Sequence, residues 1–245
     1  MPTAEVHFFD LDSNFDRGRD WYFGQFVQAE PADVIGEKSA NYLDVVRDDG
    51  TRRPIPERIS ALLPDVRLVF LLRDPVDRLV SAVTQQMFKR RLPADATLDD
   101  ILFSRHRDFA KRWNLLGGGL YGQNLREFYK YFQADQILVK LLEDDILKRP
   151  EATFQDVCRH VGVRKMAPRP PRPKPANAGV RSRLALRANA RLPRLGALWH
   201  GVDRLLPGLS RVGCDDRLRA RLAEFYRQDR EILVGLLGRD LEAWR

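Results

Sequence analysis

Val66-Arg67-Leu68-Val69-Phe70-Leu71-Leu72-Arg73-Asp74-Pro75-Val76-Asp77-Arg78-Leu79-Val80-Ser81 reads as a buried strand, a turn and a helix. The unbroken apolar run suits a strand covered on both faces, and helical spacing takes over at Val76, Leu79 and Val80 once Pro75 has ended it. Arg73 then stands at the carboxyl end of a core strand, where open α/β sheets hold anionic ligands against loop amides and helix N-termini. Ser81, about two turns into the helix, offers a hydroxyl from the same wall if the helix lies alongside the ligand. A planar guanidinium and a hydroxyl together suit a phosphate monoester. The plainer alternative for Arg-Asp-Pro after a strand is a local ion pair and a helix start.

The rest of the chain sets bounds on this reading. Its 245 residues suffice for one substantial α/β domain, and no break in composition divides them into two cores. The expected division of residues 1–245 is a core over 1–163, a basic Pro/Arg-rich connection with helices over 164–214, and a C-terminal helix over 215–245. With 31% charged and 44% apolar residues the chain should be globular. A net charge of +8, with the excess late in the chain, favours polyanionic partners: nucleic acid, anionic lipid, sulfated glycan or nucleotide phosphates. Charge alone does not choose among them. Cys158 and Cys214 stand far apart with no CxxC or Cys/His cluster, so neither a zinc site nor a disulfide framework is indicated. No leader pattern opens the chain, and no apolar run approaches the ~18 residues of a membrane span. A reduced, cytoplasmic setting is the expectation.

Taken in order, Ala4 to Phe9 suits an extended segment whose period of two puts Glu5 and His7 on one face. A helix is expected over Asp16 to Phe26, and a strand over Ala32 to Gly36 that would place Lys38 at its carboxyl end. Pro54 to Leu63 has the spacing of an amphipathic helix, with Ile55, Ile59, Leu62 and Leu63 inward. Lys89, Arg90 and Arg91 end the helix that holds Ser81, where cations ease its dipole and could also meet an anionic acceptor. Thr97 to Trp113 reads as mostly helical, and Gly117-Gly118-Gly119 breaks the pattern before a helix over Tyr121 to Phe132. Gln136 to Leu142 is a second core strand. The acids that follow it, Glu143, Asp144 and Asp145, read either as metal ligands at a strand end or, more plainly, as caps of a short helix before Pro150. Pro150 to Val161 and Leu218 to Leu237 read as helices. The prolines between Met166 and Pro175 prescribe an extended connection. Residues 181–211 mix Arg with Leu, Ala and Trp199, a composition open to helices over a nucleotide, a peripheral membrane element or a nucleic-acid patch.

Glu5-Val6-His7-Phe8-Phe9-Asp10, Glu37-Lys38-Ser39-Ala40-Asn41-Tyr42 and the Arg73 to Ser81 segment, in this order, resemble the sulfotransferases that use 3′-phosphoadenosine-5′-phosphosulfate (PAPS). The closest likeness is to heparan sulfate N- and 3-O-sulfotransferases and their bacterial relatives, over residues 5 to 163. The resemblance implies a P-loop-like three-layer α/β/α fold with a central parallel sheet. It also implies PAPS as donor, adenosine 3′,5′-bisphosphate as product, a glycan or small-molecule acceptor, and no metal. Sulfuryl transfer needs a base for the acceptor's proton and cations for charge building on the leaving phosphate. By resemblance Glu5 is the base, Lys38 the cation and His7 a second candidate base. Arg73 and Ser81 hold the donor's 3′-phosphate, while Tyr121, Lys89 and Arg90 meet the acceptor. The bland alternatives are a Glu5 facing solvent, a His7 packed under aromatics and a Lys38 that merely pairs with Glu37.

One piece of the pattern is missing. A Gly-rich loop of Lys-x-Gly-Thr-Thr type, which holds the 5′-phosphosulfate in the resembling enzymes, belongs some tens of residues ahead of Glu5. The expectation is therefore a chain cut short at its N-terminal strand and phosphate loop, or a catalytically impaired one. Competing readings are a degenerate, non-catalytic module that binds an anionic nucleotide or glycan, a nucleotide kinase, and a nucleic-acid binder using residues 164 to 219. No recognised motif supports specific nucleic-acid binding. Acceptor identity and oligomeric state are not legible in any motif.

Overall fold

A computed structural model describes residues 5–29, 34–47, 49–163, 182–192 and 212–244. In chain order the elements are α1 (Asp12–Phe15), α2 (Gly18–Gly24), α3 (Ile55–Leu62), β1 (Leu68–Leu72) and α4 (Pro75–Phe88). They continue with α5 (Leu98–Phe103), α6 (Arg107–Arg112), α7 (Tyr121–Phe128), β2 (Ile137–Leu141), α8 (Pro150–His160), α9 (Arg183–Arg191) and α10 (Asp216–Leu237). The fold is α/β, a parallel sheet flanked by helices. Two compact units divide it: Met1–Arg73 with Leu120–Arg169 and Asp229–Arg245, and Asp74–Gly119 with Pro170–Gln228.

In the first unit the two apolar runs pair as parallel strands, Leu68 opposite Ile137 through to Leu72 opposite Leu141. Parallel strands need their faces covered by helices. On α7, Phe128 meets Phe70 edge-on at a ring separation of 4.9 Å. From α8, Asp156 pairs with Lys140 at 2.6 Å, and the His160 Nε2 lies 3.1 Å from the carbonyl oxygen of Leu68. Phe8, Phe9, Ile55, Leu72, Leu125, Phe128 and Leu141 are fully buried in one core.

The start of α7 is held from a distance. The carboxylate of Asp229 accepts the backbone N–H groups of Gly122 and Gln123, each at 2.8 Å, satisfying two of the donors that a helix start leaves open. A Cβ on Gly122 would stand 2.4 Å from the Asp229 carbonyl oxygen, so glycine is what lets the two backbones approach.

The early chain differs from its sequence reading. Residues 34–39 carry no strand, and Phe8 to Asp10 form a turn in place of an extended run. His7 sits at φ 51°, in the left-handed region. Side chains replace a ladder here. Asn14 donates to the carbonyls of Val6 and His7, and the Phe8 N–H is taken by the Tyr42 hydroxyl at 3.2 Å. Within the helix expected over Asp16 to Phe26, α2 forms from Gly18 to Gly24; Gly18, at φ 80°, separates it from the short α1 that precedes it. After β2, residues Leu142–Ile146 form one π-helical turn. Asp145 does not cap a helix: its buried carboxylate accepts the Leu141 N–H at 2.8 Å and the guanidinium of Arg239 at 3.0 and 2.5 Å. Glu143 accepts the Trp244 indole N–H at 2.9 Å, and Asp144 pairs with Lys148 at 2.6 Å. Ion pairs and hydrogen bonds thus account for the three acids.

The second unit is helical. On α4, Val76, Leu79, Val83 and Met87 are buried, at the expected spacing. Its N-terminus is capped from within, Asp74 accepting the Asp77 N–H at 2.8 Å, while Arg219 reaches Asp77 at 2.6 Å and Asp74 at 3.7 Å. Thr97 and Asp100 form a reciprocal cap on α5, and the helix expected over Thr97 to Trp113 breaks at Ser104 into α5 and α6. A Cβ on Gly119 would meet the Tyr226 ring at 2.8 Å, and the Tyr226 hydroxyl donates to the Leu116 carbonyl at 3.0 Å. The proline-rich connection and most of residues 181–211, α9 apart, lie outside the described residues. Among the described residues no helix is long and apolar enough to cross a membrane.

Candidate active site

Two hexapeptides of the first unit, residues 5–10 and 37–42, engage one another side chain by side chain. Lys38 Nζ lies 3.0 Å from Glu5 Oε1, and the other Glu5 oxygen lies 3.4 Å from His7 Nε2. The opposite nitrogen of that ring, Nδ1, lies 3.0 Å from Asp10 Oδ2 and 3.4 Å from the Ser39 hydroxyl. Asn41 donates to the same Asp10 oxygen at 3.2 Å, and the backbone carbonyl of Asp10 accepts from Arg53. The result is a line of groups, Lys38, Glu5, His7, Asp10, running from an exposed cation to a buried carboxylate that Asn41 also contacts.

Local structure explains the meeting. The turn at Phe8 to Asp10 drops Phe8 and Phe9 into the core, where they pack on Tyr22 at 4.8 and 5.2 Å. The left-handed residue His7 keeps its ring on the outside of that turn, between Glu5 and Asp10. Ser39 opens a 3-10 turn over Ala40–Leu43, accepting the Asn41 N–H on its hydroxyl. That turn puts Asn41 and Tyr42 over the same residues. Asn124 on α7 accepts the Val45 and Val46 N–H groups at 3.0 and 2.7 Å, which anchors the end of the segment.

The charges are unequal in exposure. The Lys38 side chain is 80% exposed and Glu5 31%, whereas Asp10 is shut off from solvent. Burial pushes the Glu5 carboxyl up, but the hydrogen bond and charge of Lys38, the Ala40 amide and His7 outweigh it, and its titration lies below the ordinary glutamate value. Glu5 is therefore an anion at neutral pH, hydrogen-bonded to an exposed ammonium. Such a pair can take a proton from an approaching hydroxyl or amine and present a cation at the same spot.

Other predicted residues lie elsewhere in the fold. Arg73, half-buried, follows β1 directly in the first unit. Tyr121 opens α7 but is buried, its ring 5.8 Å from that of Trp244. Ser81, on the exposed side of α4, and Lys89 and Arg90, both exposed just after it, belong to the second unit. Arg90 adopts φ 59°. Among the described residues no group of three or more His, Cys, Asp and Glu side chains is placed to hold a metal ion. Sequence reasoning did not assign Asp10, Ser39, Asn41, Tyr22 or Tyr42, because a pairing between segments some thirty residues apart leaves no periodic trace.

Comparison with known proteins supplies the family. Residues 18–168 match the model of the sulfotransferase family, a span that includes Lys38, Arg73 and Ser81 and begins after Glu5 and His7. Human heparan sulfate glucosamine 3-O-sulfotransferase 3B1 is 30% identical over 137 residues, covering 55% of this chain and 32% of that protein. The mouse 3B1 enzyme is 30% identical over 166 residues, 66% of this chain and 39% of that protein, so the chain spans between a third and two fifths of these relatives' length. A sulfotransferase crystal structure from Alicyclobacillus acidocaldarius superposes with a TM-score of 0.69 at 21% identity, covering 100% of this chain and 87% of that one, which establishes the shared fold. With the family model matched across more than half its length, the chain belongs to the sulfotransferase family.

Proposed function

We propose that the chain transfers a sulfuryl group from PAPS to a hydroxyl or amine of a glycan or related acceptor. The observation that carries this reading is the contact of Lys38 with Glu5 at 3.0 Å, both reachable from solvent, backed by His7 and the buried Asp10. Bound PAPS supplies the activated sulfuryl group. The donor set fits it: an exposed ammonium beside the base, and a half-buried guanidinium, Arg73, directly after a core strand, both suited to anionic oxygens. Glu5, held as a carboxylate, accepts the acceptor's proton. His7, with Nδ1 turned to Asp10, presents Nε2 to Glu5 and keeps the carboxylate oriented. The glycan acceptor is supported by the names of the curated relatives, which act on heparan sulfate glucosamine.

Calorimetric titration with adenosine 3′,5′-bisphosphate tests the donor half of the reading. Loss of a charged hydrogen bond costs about 1.5–3 kcal/mol, so Arg73→Ala should weaken binding about tenfold or more. Ser81→Ala, measured separately, is expected to do the same. Affinity unchanged in both variants would remove the assignment of the donor.

A further inference from the structure

Glu37, next to Lys38 in the chain, is unusually placed. One of its oxygens, Oε1, accepts two phenol hydroxyls, Tyr22 from α2 at 3.0 Å and Tyr42 from the 3-10 turn at 3.1 Å. The Tyr42 hydroxyl in turn accepts the Phe8 N–H at 3.2 Å. The second oxygen, Oε2, is shut off from water and has no hydrogen-bond partner among the described residues. Enclosing a carboxylate oxygen without a partner costs stability, so the residue calls for a function that offsets the cost.

Its neighbours in the chain suggest one. Glu37 precedes Lys38, and Phe8 follows His7, so the linkage Glu37, Tyr42, Phe8 N–H ties together the backbones from which the ammonium and the imidazole project. Tyr22 fixes the same carboxylate to the aromatic cluster beneath, where its ring packs on Phe8 and Phe9. Lys38 itself is 80% exposed, and packing does little to fix so mobile a side chain. We propose that Glu37 is a positioning residue: through Tyr42 and Tyr22 it sets the separation between the two segments and so holds Lys38 against Glu5. The proposal rests on the assignment of Glu5 and Lys38 to the chemistry, and it adds the device that keeps them in register.

Glu37 faces Tyr22 and Tyr42, with Asp10 and His7 near; Glu5 faces Lys38, His7 and the Ala40 amide. Burial pushes the Glu37 carboxyl up, and the two phenols pull it part of the way back.

The test is a carboxyl NMR titration of Glu5 in the full chain carrying 13C-labelled glutamate, with no donor or acceptor added. Lys38→Ala should move the Glu5 midpoint upward, because the cation that favours its charged form is gone. Glu37→Ala should move it the same way by loosening Lys38, and should add nothing once Lys38 is already alanine. Glu37→Gln keeps an acceptor for both phenols and should leave the midpoint close to that of the unmodified protein. Tyr42→Phe, a milder change that removes one hydroxyl and with it the links to Glu37 and to Phe8, should reproduce the upward shift if Glu37→Ala does not fold. A Glu5 midpoint unmoved by Glu37→Ala and Tyr42→Phe, or a shift equally large with and without Lys38, overturns the proposal. Because turnover is not read, failure of the sulfuryl-transfer reading would leave this result standing, and the two can be told apart.

Discussion

Lys38 does more for Glu5 than fill a family pattern. Burial alone would raise the Glu5 carboxyl, and the Lys38 ammonium, with the Ala40 amide and His7, outweighs that effect and keeps Glu5 anionic below the pH at which an ordinary glutamate takes up a proton. The sign follows directly: the base form is retained above the lowered value and lost as pH falls through it. Removing the ammonium raises that value, so in Lys38→Ala the acid limb of the kcat/KM profile should move to higher pH, apart from any fall in kcat. An acid limb that stays in place would mean that Lys38 does not govern the ionisation of Glu5. Glu5, His7 and Lys38 could be singled out from sequence because their types match the chemistry and their hexapeptides match a family. Asp10, Ser39 and Asn41 could not be given partners that way: each gains its role from a residue more than thirty positions distant or across a tight turn, and spacing along one segment cannot show it.

Elements made by apolar spacing were the legible ones. β1, β2, α3, α4, α8 and α10 fall within a few residues of where their patterns put them, since burial of one face is what those patterns encode. Before Pro54, α2 lies inside the helix expected over Asp16 to Phe26, but the extended run expected over Ala4 to Phe9 gives way to a turn, because its backbone groups are satisfied by Asn14 and Tyr42 side chains and a left-handed His7, none of which alters the apolar period. The same physics acts at the start of α7, where Asp229 serves as a cap supplied by α10. Asp229→Ala should leave two amides without their acceptor and cost about 1–3 kcal/mol each in the worst case. Asp229→Asn, which keeps one acceptor oxygen, should cost less; urea unfolding of the two variants gives the comparison, and equal losses would contradict the capping role. Gly122→Ala should destabilise as well, through the close approach of the Asp229 carbonyl.

Within the first unit, the C-terminal residues are tied to the sheet by a buried charge. Burial would raise the Asp145 carboxyl, but Arg239, the Leu141 amide and Lys140 together hold it far below the usual range. A lowered carboxyl contributes stability above its unfolded value and loses it as pH falls toward its folded one. Arg239→Ala should therefore cost about 1.5–3 kcal/mol near neutral pH, because Asp145 loses one charged partner but keeps Arg149 at 2.7 Å, and flatten the decline of stability in acid. Circular dichroism of acid unfolding reads both effects, and an Arg239→Ala protein with an unchanged acid profile would count against the pair as a fastening. These features support the hexapeptide pair without bearing on its chemistry, which one experiment addresses. PAPS carrying radiolabelled sulfur is incubated with a desulfated glycan and either the unmodified chain or Glu5→Gln. Label is expected on the glycan with the unmodified chain, and a loss of about 10² to 10⁴-fold with Glu5→Gln, the range for a removed general base. Label transferred equally by both proteins would contradict that role.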